Sequence, residues 1–273
     1  MSNDPRPIGI FDSGIGGLTV LKSLLTEFPN ESFIYLGDTA RLPYGSKSPE
    51  TIEKYLKQNV EFLISRDVKA VIVACNSAST VLLKSASIEK SAFSIPVYDV
   101  IQPGAKAALA TSLSKRIGVL GTSATIKSLA YAKVLTSLDP NVLVYQQACP
   151  LLVPLVEEGW HDDPLTNLII YRYIAPLAVS RMDTLILGCT HYPALRDGIQ
   201  KVVGPGVALV DSASAILHEL NLDIAQGHLV PALKSTLPRL KILTTDASSN
   251  FKEIADRLLH PHHAPEFEAI DLI

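Results

Sequence analysis

Short apolar runs recur along the whole chain, most of them four or five residues long and closed by glycine, cysteine or a polar residue. Such runs are too short for helices and too uniformly apolar for half-exposed strands. They suit parallel strands buried on both faces. The runs fall at 8–11, 33–36, 71–75, 96–98, 117–120, 142–145, 185–188, 207–210 and 240–243. Amphipathic stretches at 18–28, 52–65, 124–138 and 165–179 separate several of them. This alternation predicts an α/β fold with mostly parallel strands. So many strands suit two sheets better than one.

A weak internal repeat supports that split. Ile8-Gly9-Ile10-Phe11-Asp12-Ser13 is similar to Ile117-Gly118-Val119-Leu120-Gly121-Thr122. A duplicated half-chain predicts two similar doubly wound units facing one another across a cleft. The expected units are 1–99 plus 211–273, and 100–210; the 273 residues suffice for both. A hydrophobic content of 47% against 19% charged residues argues for a packed globule rather than disorder. The net charge is −3, and lysines and arginines are scattered, so no nucleic-acid partner is expected. No apolar stretch is long enough to span a bilayer, and Met1 to Pro7 is polar and too short for a signal peptide. Three cysteines, an odd number, point to a reducing cytoplasm rather than a disulfide framework.

Two of the apolar runs lead into cysteine. Val71-Ile72-Val73-Ala74 precedes Cys75, and Leu185-Ile186-Leu187-Gly188 precedes Cys189. In an open α/β sheet the ligand lies beyond the carboxyl ends of the strands, so both thiols fall where a substrate would sit. A thiol acts as a base only as thiolate, and a following helix start favours that charge. Ser79, Thr80 and Thr190 are candidate caps or lining residues, and His191 stands two residues past Cys189, able to orient or share a proton. Matched thiols suggest one acid/base on each side of a substrate. Plainer readings exist. Either thiol can be a small buried hydrophobe, as Cys149 is read here. A metal site of Cys75, Cys189 and His191 is a rival, but it lacks the close-spaced cysteine pair usual for structural zinc. A hydrolase with Cys189 as nucleophile and a small-anion-binding protein with inert thiols are two more. His260, His262 and His263 read as a solvated turn around Pro261.

Asp12-Ser13-Gly14-Ile15-Gly16-Gly17 follows the first run. Its glycines permit a sharp turn and a close ligand approach, but the spacing is not a dinucleotide fingerprint. Asp12, at a strand end on the Cys75 side, can accept or relay a proton. The loop from Gly37 to Gly45 carries Asp38, Arg41 and Tyr44 and can cover a small polar substrate. No lysine stands at a strand end as a pyridoxal phosphate anchor, and no flavin or nicotinamide signature occurs. Neither cofactor nor metal is expected.

Taken together, Asp12-Ser13-Gly14, Gly16-Gly17-Leu18-Thr19-Val20, Leu42-Pro43-Tyr44-Gly45, Ala74-Cys75-Asn76 and Leu187-Gly188-Cys189-Thr190-His191-Tyr192-Pro193 resemble the motifs of glutamate racemases. The resemblance runs from about Ile8 to the end of the chain. The cysteine motifs alone mark the wider aspartate/glutamate racemase superfamily, with aspartate and hydantoin racemases as rivals. The first motif and the Pro-Tyr-Gly loop point to glutamate. The resemblance implies two α/β domains with the substrate between them, no cofactor, and two-base interconversion of L- and D-glutamate for peptidoglycan synthesis, commonly in a homodimer. It implies that Cys75 serves D-glutamate, supported by Asp12, and that Cys189 serves L-glutamate, supported by His191. It adds Asp38 and Glu157 as further acidic residues of catalysis. It places Asp12, Ser13, Tyr44, Gly45, Asn76, Ser77, Thr122, Thr190 and His191 at substrate-binding positions. Ser77 stands where threonine is expected and keeps the hydroxyl. The long N-terminal extension of members that need a peptidoglycan-precursor activator is not seen.

Overall fold

Strands that are apolar on both faces need a helix layer on each side. The computed structural model describes residues 3–83, 93–233, 239–246, 249–262 and 266–272. The elements are β1 (Ile8–Asp12), α1 (Leu18–Glu27), β2 (Phe33–Gly37), α2 (Pro49–Ser65), β3 (Ala70–Val73), α3 (Asn76–Leu82), β4 (Val97–Asp99), α4 (Ile101–Thr111), β5 (Arg116–Gly121), α5 (Ser123–Ser128), α6 (Ala130–Leu138) and β6 (Leu143–Ala148). There follow α7 (Leu152–Glu157), α8 (Pro164–Ala178), β7 (Thr184–Gly188), α9 (Arg196–Val203), β8 (Ala208–Asp211), α10 (Ser212–Gln226), β9 (Leu240–Thr244), α11 (Ser249–Leu259) and β10 (Glu266–Ala269).

The strands form a six-stranded sheet, β10-β9-β2-β1-β3-β4, and a four-stranded sheet, β6-β5-β7-β8. Every adjacent pair among the described residues is parallel. The orders β2-β1-β3-β4 and β6-β5-β7-β8 are the same order, so the sequence repeat is a repeat of topology. β9 and β10 extend only the first sheet.

Alternation along each strand sends side chains to opposite layers. Ile8 and Ile10 pack with leucines of α1 and α10, whereas Phe11 packs with Leu56 and Leu63 of α2. The α2 residues Ile52, Leu56, Val60 and Leu63 recur at helical spacing and are buried. Ser48 caps that helix by accepting the Thr51 amide at 3.3 Å, with Pro49 in the first turn. The chain passes from the first core to the second between Val100 and Ile101, and returns between Val210 and Ala213.

Three local readings differ. The stretch 124–138 is two helices, α5 and α6, broken at Leu129, whose φ is 58°. The third strand stops at Val73, and Cys75 is the N-cap of α3 rather than a strand residue. β10 was not among the expected strands; its Glu-Phe-Glu-Ala is half polar, as suits an outer strand of the sheet.

In both sheets the strand order reverses beside the first strand, which opens a crevice at the carboxyl ends. Phe11 pairs with Val73 and Leu120 with Leu187. Two residues beyond each pair lie Ser13 and Cys75 in one sheet, and Thr122 and Cys189 in the other. The matched register delivers both thiols to equivalent places.

Close strand packing explains one glycine. A Cβ on Gly188 would lie 2.7 Å from the Leu120 carbonyl oxygen and 3.1 Å from Tyr131 Cε2. Gly188→Ala is expected to lower stability by about 1–3 kcal/mol in urea denaturation. Gly206→Ala, where a Cβ meets nothing within 4 Å, is the control, with an expected change within about 0.5 kcal/mol.

Candidate active site

The strand ends of the two sheets enclose a cavity of about 130 Å³, room for one small amino acid. Of the residues singled out in the sequence, Ser13, Tyr44, Gly45, Cys75, Asn76, Ser77, Thr122, Glu157, Cys189, Thr190 and His191 line it. Asp12, Asp38, Arg41, Ser79 and Thr80 do not, and the hydroxyls of Ser79 and Thr80 donate to the Val73 and Ser77 carbonyls instead of capping α3. All three cysteines are free and buried. Cys149 stays outside the cavity, its thiol donating to the Gln147 carbonyl at 3.6 Å. Among the described residues, no group of three histidine, cysteine or acidic side chains is placed to hold a metal. His262 contacts Thr26 Oγ1 at 3.1 Å, His260 is exposed, and His263 lies outside the described residues.

The two thiols have similar backbone settings and opposite electrostatic ones. Cys75 donates to Ser13 Oγ at 3.6 Å. Burial pushes its thiol up to about 12, and the Asp12 charge adds to that, against the pull of the Ala78 amide and Ser13. Asp12 is wholly buried, and burial raises its own pKa, opposed by His191 and by amide and hydroxyl donors. Its carboxylate accepts the Gly14 amide at 3.1 Å and the Thr190 hydroxyl at 3.3 Å. Asp12 therefore acts on Cys75 through its field, while its side-chain hydrogen bond crosses to the residue after Cys189.

Cys189 faces an imidazole instead. His191 Nδ1 is 3.9 Å from Cys189 Sγ, and Nε2 is 3.1 Å from Glu157 Oε1. Burial alone would lower the His191 pKa. Its bonds to Cys189 and Glu157, helped by the Asp12 charge, outweigh that and raise it to about 10. Glu157, at the end of α7, thus orients the ring and sustains its charge. The row can hold a proton beside the Cys189 sulfur or pass one to it.

Hydroxyls bind the two halves of the wall together. Ser77 Oγ lies 2.9 Å from Thr122 Oγ1 and 3.4 Å from Thr125 Oγ1. Thr122 is also the N-cap of α5, accepting the Thr125 amide at 3.2 Å. Thr125 was missed in the sequence; its place three residues after a capping threonine was the available signal. Thr19 was missed as a link: its hydroxyl donates to the Gly16 carbonyl at 2.8 Å and the Thr190 carbonyl at 3.2 Å. Gly45 is required where it stands, because a Cβ would sit 2.6 Å from Thr122 Cβ.

Asp38 turns away from the cavity. Its carboxylate accepts Arg41 Nε at 2.7 and 2.9 Å, Thr245 Oγ1 at 3.0 Å, Asn59 Nδ2 at 3.3 Å, and the Tyr44 hydroxyl. With these partners Asp38 holds Tyr44, which lines the cavity.

The charge on His191 is open to test. Nitrogen NMR is expected to show the ring protonated through neutral pH and titrating near 10. Cys189→Ala and Glu157→Gln each remove a group that raises this pKa while burial remains, so each should lower it. An unmoved value in both variants would refute this electrostatic account.

Comparison with known proteins agrees with the geometry. A family model described as Asp/Glu/Hydantoin racemase matches residues 13–220. A glutamate racemase of Geobacter metallireducens is 50% identical over 254 residues, 93% of each chain. The crystal structure of a glutamate racemase isoform from Bacillus anthracis superposes with a TM-score of 0.91 at 38% identity, covering 98% of each chain. That of the Francisella tularensis glutamate racemase in complex with D-glutamate gives 0.88 at 37%, again over 98% of each. The chain belongs to the Asp/Glu/hydantoin racemase family and, within it, to the glutamate racemases.

Proposed function

We propose that this chain interconverts L- and D-glutamate without a cofactor, by proton transfer between the substrate and two thiols. The observation that carries the reading is the pair of buried cysteines, one just beyond a strand end of each sheet, at equivalent register beside one small cavity. In the L-to-D direction Cys189, as thiolate, takes the α-proton and becomes a thiol. Cys75, as thiol, gives its proton to the opposite face of the carbanion and becomes the thiolate. The reverse direction exchanges the roles. Burial and Asp12 keep the proton on Cys75 at neutral pH, which suits it as the acid for L-glutamate. His191, charged and anchored by Glu157, buffers the proton at Cys189.

An amino acid's α-proton is weakly acidic because the adjacent carboxylate is already negative. The lining hydroxyls of Ser13, Ser77, Thr122 and Thr190 are suited to stabilise the charge that builds during transfer, with Asn76 beside them. Tyr44 and Gly45 close the cavity from the loop that Asp38 fixes. Asp12 sets the charge state of Cys75 and positions Thr190. The family resemblance supports D-glutamate supply for peptidoglycan, a homodimer and a cytoplasmic location. Three free buried thiols suit a reducing compartment. Among the described residues no helix is long and apolar enough to cross a membrane.

A Cys189–His191–Glu157 row alone would also serve a thiol hydrolase, so the test must read the α-carbon. In deuterated water, both glutamate enantiomers should gain deuterium there without added metal or cofactor. Cys75→Ser and Cys189→Ser should each lower inversion by at least about 10³-fold, since an alcohol is a far poorer base at this pH. Cys149→Ser should keep most of the turnover. Near wild-type inversion by either cavity mutant would end the two-base scheme.

A further inference from the structure

Tyr131 has no part in the scheme above, yet it touches the neighbours of both thiols. It lies in the first turn of α6, the second helix of the broken pair, and is only 1% exposed. Its ring lies over Gly188, the residue before Cys189, where a Cβ would come within 3.1 Å of Cε2. Its hydroxyl donates to Asn76 Oδ1 at 2.8 Å, on the residue after Cys75. A Cβ on Gly104 of α4 would lie 3.2 Å from that hydroxyl, so the second side of the slot is also kept free. The Asn76 amide is held from the other end as well, donating Nδ2 to Ser212 Oγ at 3.1 Å.

These contacts have two effects. The first concerns spacing. One rigid ring, in a slot bounded by glycines, spans from a strand end of the four-stranded sheet to the helix start of the six-stranded sheet. A tyrosine has two side-chain torsions and a fixed length, so it resists a change in the gap that a flexible chain would absorb. The second concerns orientation. An amide side chain can present oxygen or nitrogen to a ligand. Because the Tyr131 hydroxyl donates to Oδ1, the oxygen is occupied and the nitrogen is fixed toward Ser212. Asn76 lines the cavity, so its second N–H is free to serve a carboxylate, whereas the flipped amide would set an acceptor against it. Burial, reinforced by the Asp99 charge and only partly opposed by a hydrogen bond with Ser212, holds the phenol above its ordinary pKa, so it remains a donor throughout the working range.

We propose that Tyr131 is a positioning residue for the reaction, a strut that sets the separation of the two thiols and the orientation of the Asn76 amide. This rests on the two-thiol reading, and the test separates the two. Wild-type protein is first assayed for inversion; failure there defeats the two-thiol reading and leaves the strut to the thiol measurement below. Tyr131→Phe keeps the ring on Gly188 and removes only the hydroxyl. It should lower kcat/KM about tenfold, equally in both directions as reversibility demands, mainly through KM, with the thermal midpoint almost unchanged. Ser212→Ala, which loosens the same amide from its other end, should act in the same sense. In the Asn76→Ala background Tyr131→Phe should have a smaller further effect, because the amide it orients is gone and only its contact with Ser212 remains.

A readout independent of turnover is iodoacetamide labelling of each thiol, followed by peptide mass spectrometry. Tyr131→Leu, which shortens the strut, should change the labelling rates of Cys75 and Cys189 together. Asn76→Ala should change mainly that of Cys75. Wild-type kcat/KM in Tyr131→Phe, full multiplication of the two effects in the double mutant, or unchanged labelling of both thiols in a folded Tyr131→Leu protein would each overturn the proposal. Should Tyr131→Leu fail to fold, Tyr131→Met, closer in length to the native side chain, carries the same labelling test of the spacing, while the Tyr131→Phe cycle with Asn76 and Ser212 decides the orientation of the amide.

Discussion

The site depends on where parallel strand order reverses. Crossovers between parallel strands are right-handed, so a sheet ordered second-first-third has its loops depart to opposite faces beside the first strand. The gap between those loops needs no special residue to create it. Here the same order occurs in both sheets, and both gaps open toward one shared cavity. Each gap carries a hydroxyl on one side and a thiol on the other, in the same register. Chemistry on two faces of a single carbon is then a natural result of placing two such sheets end to end.

Backbone likeness does not extend to charge. One thiol sits near a buried carboxylate and keeps its proton; the other sits near a histidine that burial alone would neutralise but whose partners keep charged. The difference comes from short sequence details. Asp12 ends β1, whereas the matching position on β5 is Gly121, and His191 follows Cys189 by two residues, where Ser77 follows Cys75. The repeated strand order provides a symmetric frame, and a few side chains make the two sides complementary. Asp12 also connects them, because the carboxylate that acts on Cys75 is hydrogen-bonded by Thr190.

Much of this was legible because apolar runs and strand-end residues obey local rules. The β1, β3, β5 and β7 runs announced themselves, and so did the two thiols beyond two of them. Other features depend on directions no local pattern encodes. Leu129 breaks a helix without glycine or proline, so its stretch read as continuous. Asp38 stands in the right loop, but its carboxylate points back into Arg41, Tyr44 and Thr245. Tyr131 and Thr125 lie within helices, away from strand ends, and become relevant only when the two sheets are docked. β10 has the composition of a solvent-facing segment, and pairing with β9 alone makes it a strand.

The loop after β2 is tied to a distant part of the chain. Thr39 Oγ1 meets Thr244 Oγ1 at 2.6 Å, and the Ala40 amide donates to Thr245 Oγ1 at 3.0 Å. The same Thr245 hydroxyl bonds Asp38, which holds Tyr44. During synthesis the segment that carries Tyr44 leaves the ribosome early, while its tether emerges only near the end of translation. β2 likewise waits for β9 to cover its open edge. A nascent or truncated chain that stops before β9 owns both cysteines but lacks the tether of the Tyr44 loop, so closure of the pocket depends on residues that are synthesised last.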